Sequence, residues 1–274
     1  MTHSPQAIRA LLDGVGAKPR RDLGQNFVAD PNTVRRIARL AGVGAGDRVV
    51  EVGAGLGSLT LALAETGAGV VAVEVDRRIA RVLRDVLAGA AGPTDAVTVV
   101  EGDAMSLDWA AVLDGAPHWT LVANLPYNIA TPLVCDLLDA VPAITRMLVL
   151  VQREAGQRLV AGPGAKQYGA VSVKVAYWAA ARLAGLVPPS VFLPRPNVES
   201  ALVEITRREP AATDPTPVFA LVRTAFGQRR KMLRRSLVDH VSPAQFAAAG
   251  IAPDARPEQL DVAAWCRLAE AVKS

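Results

Sequence analysis

The sequence predicts an α/β protein: a doubly wound, seven-stranded and mostly parallel sheet domain, followed by a small all-helical domain. Three observations point there. Between Arg48 and Thr206, short Val-rich apolar runs alternate with stretches of helical periodicity, the pattern of a parallel sheet covered by helices. The first run opens into a glycine-marked loop, Gly53 to Gly57, placed to start a helix. After the proline-rich stretch Arg207 to Pro217, the apolar pattern is helical only. The expected organisation is therefore a domain over 1–206, a linker over 207–217 and a helical domain over 218–274.

In chain order, an amphipathic stretch Ala7 to Leu12 leads to the basic arm Lys18-Pro-Arg20-Arg21, which could touch phosphate or simply be solvated. Leu23-Gly-Gln-Asn-Phe-Val28 follows, too polar and glycine-marked to be filler. Asp30 and Pro31 then form an N-cap and N1 pair for a helix carrying Val34, Ile37, Ala38 and Ala41. The strand from Arg48 ends in Gly53, Gly55 and Gly57, where the lack of Cβ atoms lets the backbone turn and approach a ligand; the helix Ser58 to Glu65 follows. A second strand, Val70 to Val75, carries Glu74 about twenty residues past the first glycine, the place for an acid that accepts from ribose hydroxyls. A third, Val97 to Val100, delivers Asp103 and Ala104 to the same edge, where Asp103 can accept from an adenine amino group.

The fourth strand, Trp119 to Ala123, runs into Asn124-Leu-Pro-Tyr127. An amide, a carbonyl without a competing N–H and an aromatic face in one mouth suit a planar base bearing an exocyclic amine. The Asn124 oxygen and the Pro126 carbonyl can accept the two amine protons while Tyr127 stacks on the ring. Such an amine is a poor nucleophile because its lone pair is conjugated, and two acceptors favour a more tetrahedral nitrogen. The chemistry expected is group transfer to adenine N6; the competing reading is an ordinary strand-to-turn exit with a packed tyrosine.

Strands at Met147–Val151, Leu183–Val187 and Ala201–Thr206 complete the sheet, with helices after Gln152 and over Gly169–Ala181. Phe192 lies in the stiff loop Pro188 to Pro196 and is a candidate second wall of the base pocket, or else a loop anchor. A dinucleotide site is the rival for the glycine loop. Ser58 stands where its third glycine would fall, and one acid per strand end suits a single nucleoside. Adenosine beside an adenine-shaped acceptor pocket points to S-adenosylmethionine as methyl donor.

In the last domain, Gly227 to Ser236 would be part of a helix spanning Arg229 to His240. Helical spacing would gather Arg230, Lys231, Arg234 and Arg235 into an arc of roughly 140°. Either a solvated basic face or a phosphate-tracking surface results. Net charge is +4 with a sequence pI near 9.4, which leaves room for a polyanionic partner. No apolar run approaches the roughly 20 residues of a membrane helix. The start of the chain lacks a signal-peptide core, and Cys135, Cys266 and the three histidines show no ligand spacing. A cytoplasmic, metal-free, membrane-free monomer is expected.

These segments, in this order, resemble the small-subunit ribosomal RNA adenine N6,N6-dimethyltransferase family over residues 18–270. They are Leu23 to Phe27, Glu51 to Gly57, Glu74-Val-Asp76, Gly102-Asp-Ala104, Asn124 to Asn128, Gln152-Arg-Glu154, Tyr168 to Val173, Phe192 to Ser200 and Phe226 to Lys231. The resemblance implies a class I methyltransferase domain with an antiparallel strand near one edge. It implies that Asn26, Val28, Gly53, Glu74, Asp103 and Asn124, with Gly55 and Ala104 in the same segments, hold S-adenosylmethionine. It further implies that Asn124, Tyr127 and Phe192 hold the target adenine. The substrates would be two adjacent adenines near the 3′ end of small-subunit rRNA in an assembling 30S-type particle. Two alternatives stay open: the related large-subunit methylases of macrolide resistance, disfavoured by Gly227 to Lys231, and an assembly factor whose RNA binding outweighs its catalysis. Ala54 for the usual Pro, and Ala155-Gly156 for Val-Ala, depart from the family pattern.

Overall fold

The computed structural model describes residues 2–20, 22–210 and 214–273. The chain forms two compact units, one of residues 1–156 with 182–206, the other of 157–181 with 207–274. The sequence placed a single division at 207–217. The inserted segment 157–181 joins the C-terminal helices because Tyr168, Val173 and Tyr177 are buried with Leu221, Leu233, Phe246 and Trp265 in one apolar cluster. The predicted linker also shortens. Its first residue, Arg207, ends a strand, and Pro215 and Pro217 lie in the helix Pro215–Gly227, capped by Asp214.

Seven strands build the main sheet: β1 Arg48–Val52, β2 Gly69–Glu74, β3 Val97–Glu101, β4 Trp119–Asn124, β5 Ile144–Gln152, β6 Ala179–Val187 and β7 Ser200–Arg207. Their order is β3-β2-β1-β4-β5-β7-β6. The pairs β1–β2, β2–β3, β1–β4 and β4–β5 are parallel, and β7 runs antiparallel to β5. The central strands are buried on both faces, so they read as continuous runs such as Leu121-Val-Ala123 and Met147 to Val151, whereas edge strand β3 is only half-buried. Doubly wound order reverses beside β1, and the carboxyl ends of β1 and β4 flank that point, where such sheets bind ligands.

Local capping follows the sequence closely. Asp30 Oδ2 accepts from Thr33 N at 2.8 Å, and the helix Pro31–Ala41 ends at Gly42 with φ +60°. Gly156, one of the two departures from the family pattern, packs tightly: a Cβ there would lie 3.1 Å from side chains of Ala201 and Val203, so the glycine lets its helix sit close on β7.

Two predicted helices are redrawn by tertiary contacts. The helix expected over Gly169–Ala181 stops at Trp178, and Ala179–Ala181 extend edge strand β6, where sheet pairing outweighs the helix propensity of alanine. The helix expected over Arg229–His240 survives only as Leu233–Ser236. Leu233 N and Arg234 N donate to Ala255 O at 2.8 Å and Pro253 O at 2.9 Å, bonds that replace those of a continuing helix. The 140° arc is therefore not the geometry of the basic cluster. Leu233 and Leu237 are buried, as their apolar character required.

Candidate active site

The glycine loop leaves β1 with Gly53, Gly55 and Gly57 all at positive φ, +74°, +57° and +86°. At Gly57 a Cβ would meet Leu83 Cδ1 at 2.7 Å, and at Gly55 it would meet the Phe27 ring at 3.0 Å, so both positions need glycine on two counts. Glu74, at the end of β2, is buried and holds the loop: Oε2 accepts from Gly55 N at 2.8 Å and Oε1 from Asp76 N at 3.0 Å. Burial pushes its carboxyl upward, and these two backbone N–H bonds oppose the rise. Each oxygen keeps a lone pair for a further donor. Ala54 N donates to Val73 O at 3.1 Å, a bond that a proline at this position could not make.

Leu23 to Val28 bridges the other motifs, which explains its unusual composition. Gly24, at φ +63°, lies against Pro126, where a Cβ would sit 3.0 Å from Pro126 Cβ. Asn26 O accepts from Asn124 Nδ2 at 2.8 Å, and Asn26 Nδ2 donates to Gly24 O at 3.1 Å. Phe27 packs on the glycine loop, and Val28 pairs with Phe192 in a short antiparallel ladder. Asn26 thus takes one of the two N–H groups of the Asn124 amide, which orients it, and Oδ1 has no donor among the described residues.

One expectation needs correction. The Pro126 carbonyl already accepts from Ile129 N at 3.1 Å and Ala130 N at 3.0 Å, because it opens the turn into the helix Ala130–Ala140. Both lone pairs are used. Leu125 N is bound to Leu150 O at 3.1 Å, but no described donor reaches the Leu125 carbonyl, which is left able to accept. Tyr127 is half-buried and its hydroxyl is 2.7 Å from Ser200 Oγ. Phe192 is 4% exposed and packs among Val28, Leu150 and Leu202, so in this structure its ring anchors the loop.

Asp103 is exposed beyond β3 and its Oδ1 accepts from Met105 N at 2.9 Å, while Ala104 beside it is buried. Sequence reading passed over Val75 and Met105, exposed apolar side chains beside Glu74 and Asp103 at adjacent strand ends, where they can flank a flat ring. It also passed over Glu51. This carboxyl is 2% exposed and lines a cavity with Gly53, Gly55 and Asn124. Its one side-chain hydrogen bond among the described residues is from Thr60 Oγ1, at 2.6 Å. Burial raises it to about 8, with repulsion from Glu74 adding to the rise and the Thr60 bond opposing it. The signal was present: an acid inside Val-Val-Glu-Val, a run otherwise suited to a fully buried strand.

Among the basic candidates, Arg20 is exposed and paired with Asp22, and Arg21 lies outside the described residues. Arg230, Lys231, Arg234 and Arg235 belong to the other unit and are exposed. Lys231 Nζ donates to Gln228 Oε1 at 2.7 Å and Arg234 contacts Met232 Sδ at 3.6 Å, but none of the four has an acid partner among the described residues. No group of metal-ligating side chains occurs among those residues, and no helix of them is long and apolar enough to cross a membrane.

This arrangement fits S-adenosylmethionine. Glycines open a backbone cradle, the Glu74 carboxyl bound to that loop keeps a lone pair on each oxygen, and the buried Glu51 has no cation partner among the described residues. The chain is 47% identical to the ribosomal RNA small subunit methyltransferase A of Cutibacterium acnes, covering 98% of this chain and 94% of that one. In three dimensions it resembles a dimethyladenosine transferase from Plasmodium falciparum, with TM-score 0.72, 22% identity and coverage of 87% and 94%. It also resembles the 23S rRNA methyltransferase ErmE, with TM-score 0.69, 25% identity and coverage of 90% and 100%. The family described as ribosomal RNA adenine dimethylase matches residues 16–274, and the chain belongs to that family.

Proposed function

We propose that this protein transfers methyl groups from S-adenosylmethionine to N6 of two adjacent adenines near the 3′ end of small-subunit rRNA, as a cytoplasmic monomer acting on an assembling particle. The observation that carries the acceptor reading is the Asn124 amide: one of its two N–H groups donates to Asn26 O, which orients the amide, and neither Asn124 Oδ1 nor the carbonyl of the next residue, Leu125, has a donor among the described residues. Two acceptors fit the two protons of an adenine amine and mismatch a ring nitrogen or hydroxyl.

When bound, the cofactor would supply an electrophilic methyl to N6 and depart as a neutral thioether, with the N6 proton lost to solvent. Asn124 Oδ1 and Leu125 O draw on the amine hydrogens and favour a tetrahedral nitrogen. Tyr127 stacks on the base, and Phe192 anchors the loop that bounds the base pocket. Glu74 receives the ribose, Asp103 the cofactor's adenine, and Asn26, Val28, Gly53, Gly55 and Ala104 line the remainder. No strong base is required, because N6 becomes acidic as it attacks, and catalysis is mostly positioning. Arg20, Arg21, Arg230, Lys231, Arg234 and Arg235 bind rRNA phosphates.

The test is transfer of labelled methyl to purified small and large subunits that lack the modification. Label in small-subunit rRNA, mapped to two neighbouring adenines, is expected. Label in large-subunit rRNA would instead support the macrolide-resistance type of activity.

A further inference from the structure

Tyr127 projects from a turn, and an aromatic ring hung from a turn can tilt and flip unless its far end is held. Here it is held. The Tyr127 hydroxyl lies 2.7 Å from Ser200 Oγ, and Ser200 is fully buried at the first position of β7. Its backbone is fixed by pairing with Gln152 in the β5–β7 ladder, and Arg153 N donates to Glu199 O at 2.9 Å just before it. The neighbouring Arg153–Glu199 ion pair is exposed and adds little. The buried hydroxyl is the anchor, since each of the two hydroxyls is the partner that satisfies the other.

We propose that Ser200 is a positioning residue that fixes the plane of Tyr127, and that this bond matters more to the second methyl transfer than to the first. The inference rests on the reading that Tyr127 stacks on the target base. In the first transfer, N6 carries two protons, and Asn124 Oδ1 and Leu125 O each accept one. The methylated amine keeps one proton, so one directional restraint is gone and a bulkier group occupies its place. The tilt of the base, and with it the direction in which N6 points, then depends more on the face it stacks against. A tyrosine free to tilt costs little while two hydrogen bonds steer the amine and costs more when one remains.

The test uses Ser200→Ala, Tyr127→Phe and the double variant with unmethylated small subunits, counting N6-monomethyl and N6,N6-dimethyladenosine by mass spectrometry in single-turnover time courses. Tyr127→Phe keeps the ring and removes only the bond, so it stands as a check if Ser200→Ala folds poorly. Each single variant is expected to slow the second transfer about three- to tenfold, the range of one neutral hydrogen bond, with a smaller effect on the first. Monomethyladenosine should accumulate, the double variant should be no worse than either single one, and affinity for S-adenosylmethionine should be unchanged. A native ratio of products in both single variants, or effects that simply add, would overturn the proposal. Tyr127→Ala separates the two levels: if it leaves both transfers intact, the stacking reading fails. If it abolishes transfer while Ser200→Ala and Tyr127→Phe keep the native ratio, only the positioning role fails.

Discussion

Replacing Glu51 by Gln removes one ionisable group from the cavity while preserving its shape and its bond from Thr60. In the native protein this carboxyl is 2% exposed and its affinity for a proton is raised from 4.5 to about 8, chiefly by burial. The sign follows from linkage. A folded pKa above the unfolded one means that the folded state holds the proton more tightly. The stabilising contribution is therefore complete below about pH 4.5 and is lost as pH rises through about 8. The gap between those values converts to at most about 5 kcal/mol. Urea unfolding of both proteins, without cofactor, at several values between about pH 5 and pH 8 isolates this group and its coupling to Glu74, because the remaining titrations are shared. Native stability minus variant stability should fall by several kcal/mol across that window, roughly. A bound sulfonium and ammonium would favour the ionised carboxyl, so cofactor binding near neutral pH should release a proton from the native protein alone. Calorimetry in buffers of different ionisation enthalpy reads that proton. A stability difference that does not vary with pH would refute the reasoning, since Glu51 would then titrate like an exposed acid.

The remaining predictions concern donor, acceptor and RNA. Glu74→Gln sets an N–H against one of the two backbone donors the carboxylate accepts and weakens its bond to ribose, so Kd for S-adenosylmethionine should rise about tenfold or more; unchanged affinity by calorimetry would detach Glu74 from the cofactor. Asn124→Ala should cut turnover far more than RNA binding, because its oxygen acts most strongly as N6 becomes tetrahedral. Surviving turnover with collapsed RNA affinity would make Asn124 a docking residue. Changing Arg234 and Arg235 together to Ala should flatten the plot of log affinity for the subunit against log salt by roughly 1.4 to 1.8, with cofactor affinity unmoved. A native slope would mark them as solvated side chains.

Features that depend on a residue and its near neighbours were legible without coordinates. The Asp30–Pro31 cap, the glycine loop and the strand ends bearing Glu74, Asp103 and Asn124 all follow from backbone sterics and from periodicities that short segments express by themselves. Glycine at 55 and 57 could be assigned to a tight turn, though not to the Phe27 and Leu83 side chains that crowd them.

Features that depend on which distant groups compete for one atom were decided by the tertiary structure. The Pro126 carbonyl looked free until the helix that follows claimed it, whereas no described donor reaches the Leu125 carbonyl. The orientation of the Asn124 amide is set by Asn26, 98 residues earlier, and the hydroxyl of Tyr127 by Ser200, 73 residues later. The basic segment after Gly227 carries a helical pattern, yet the carbonyls of Pro253 and Ala255 capture its amides and cut the helix short. Glu51 shows the same division. Its presence in a buried strand is written in the chain, but its raised proton affinity arises only when folding removes water and brings Glu74 and Thr60 to it, because desolvation and Coulomb energy depend on proximity in space.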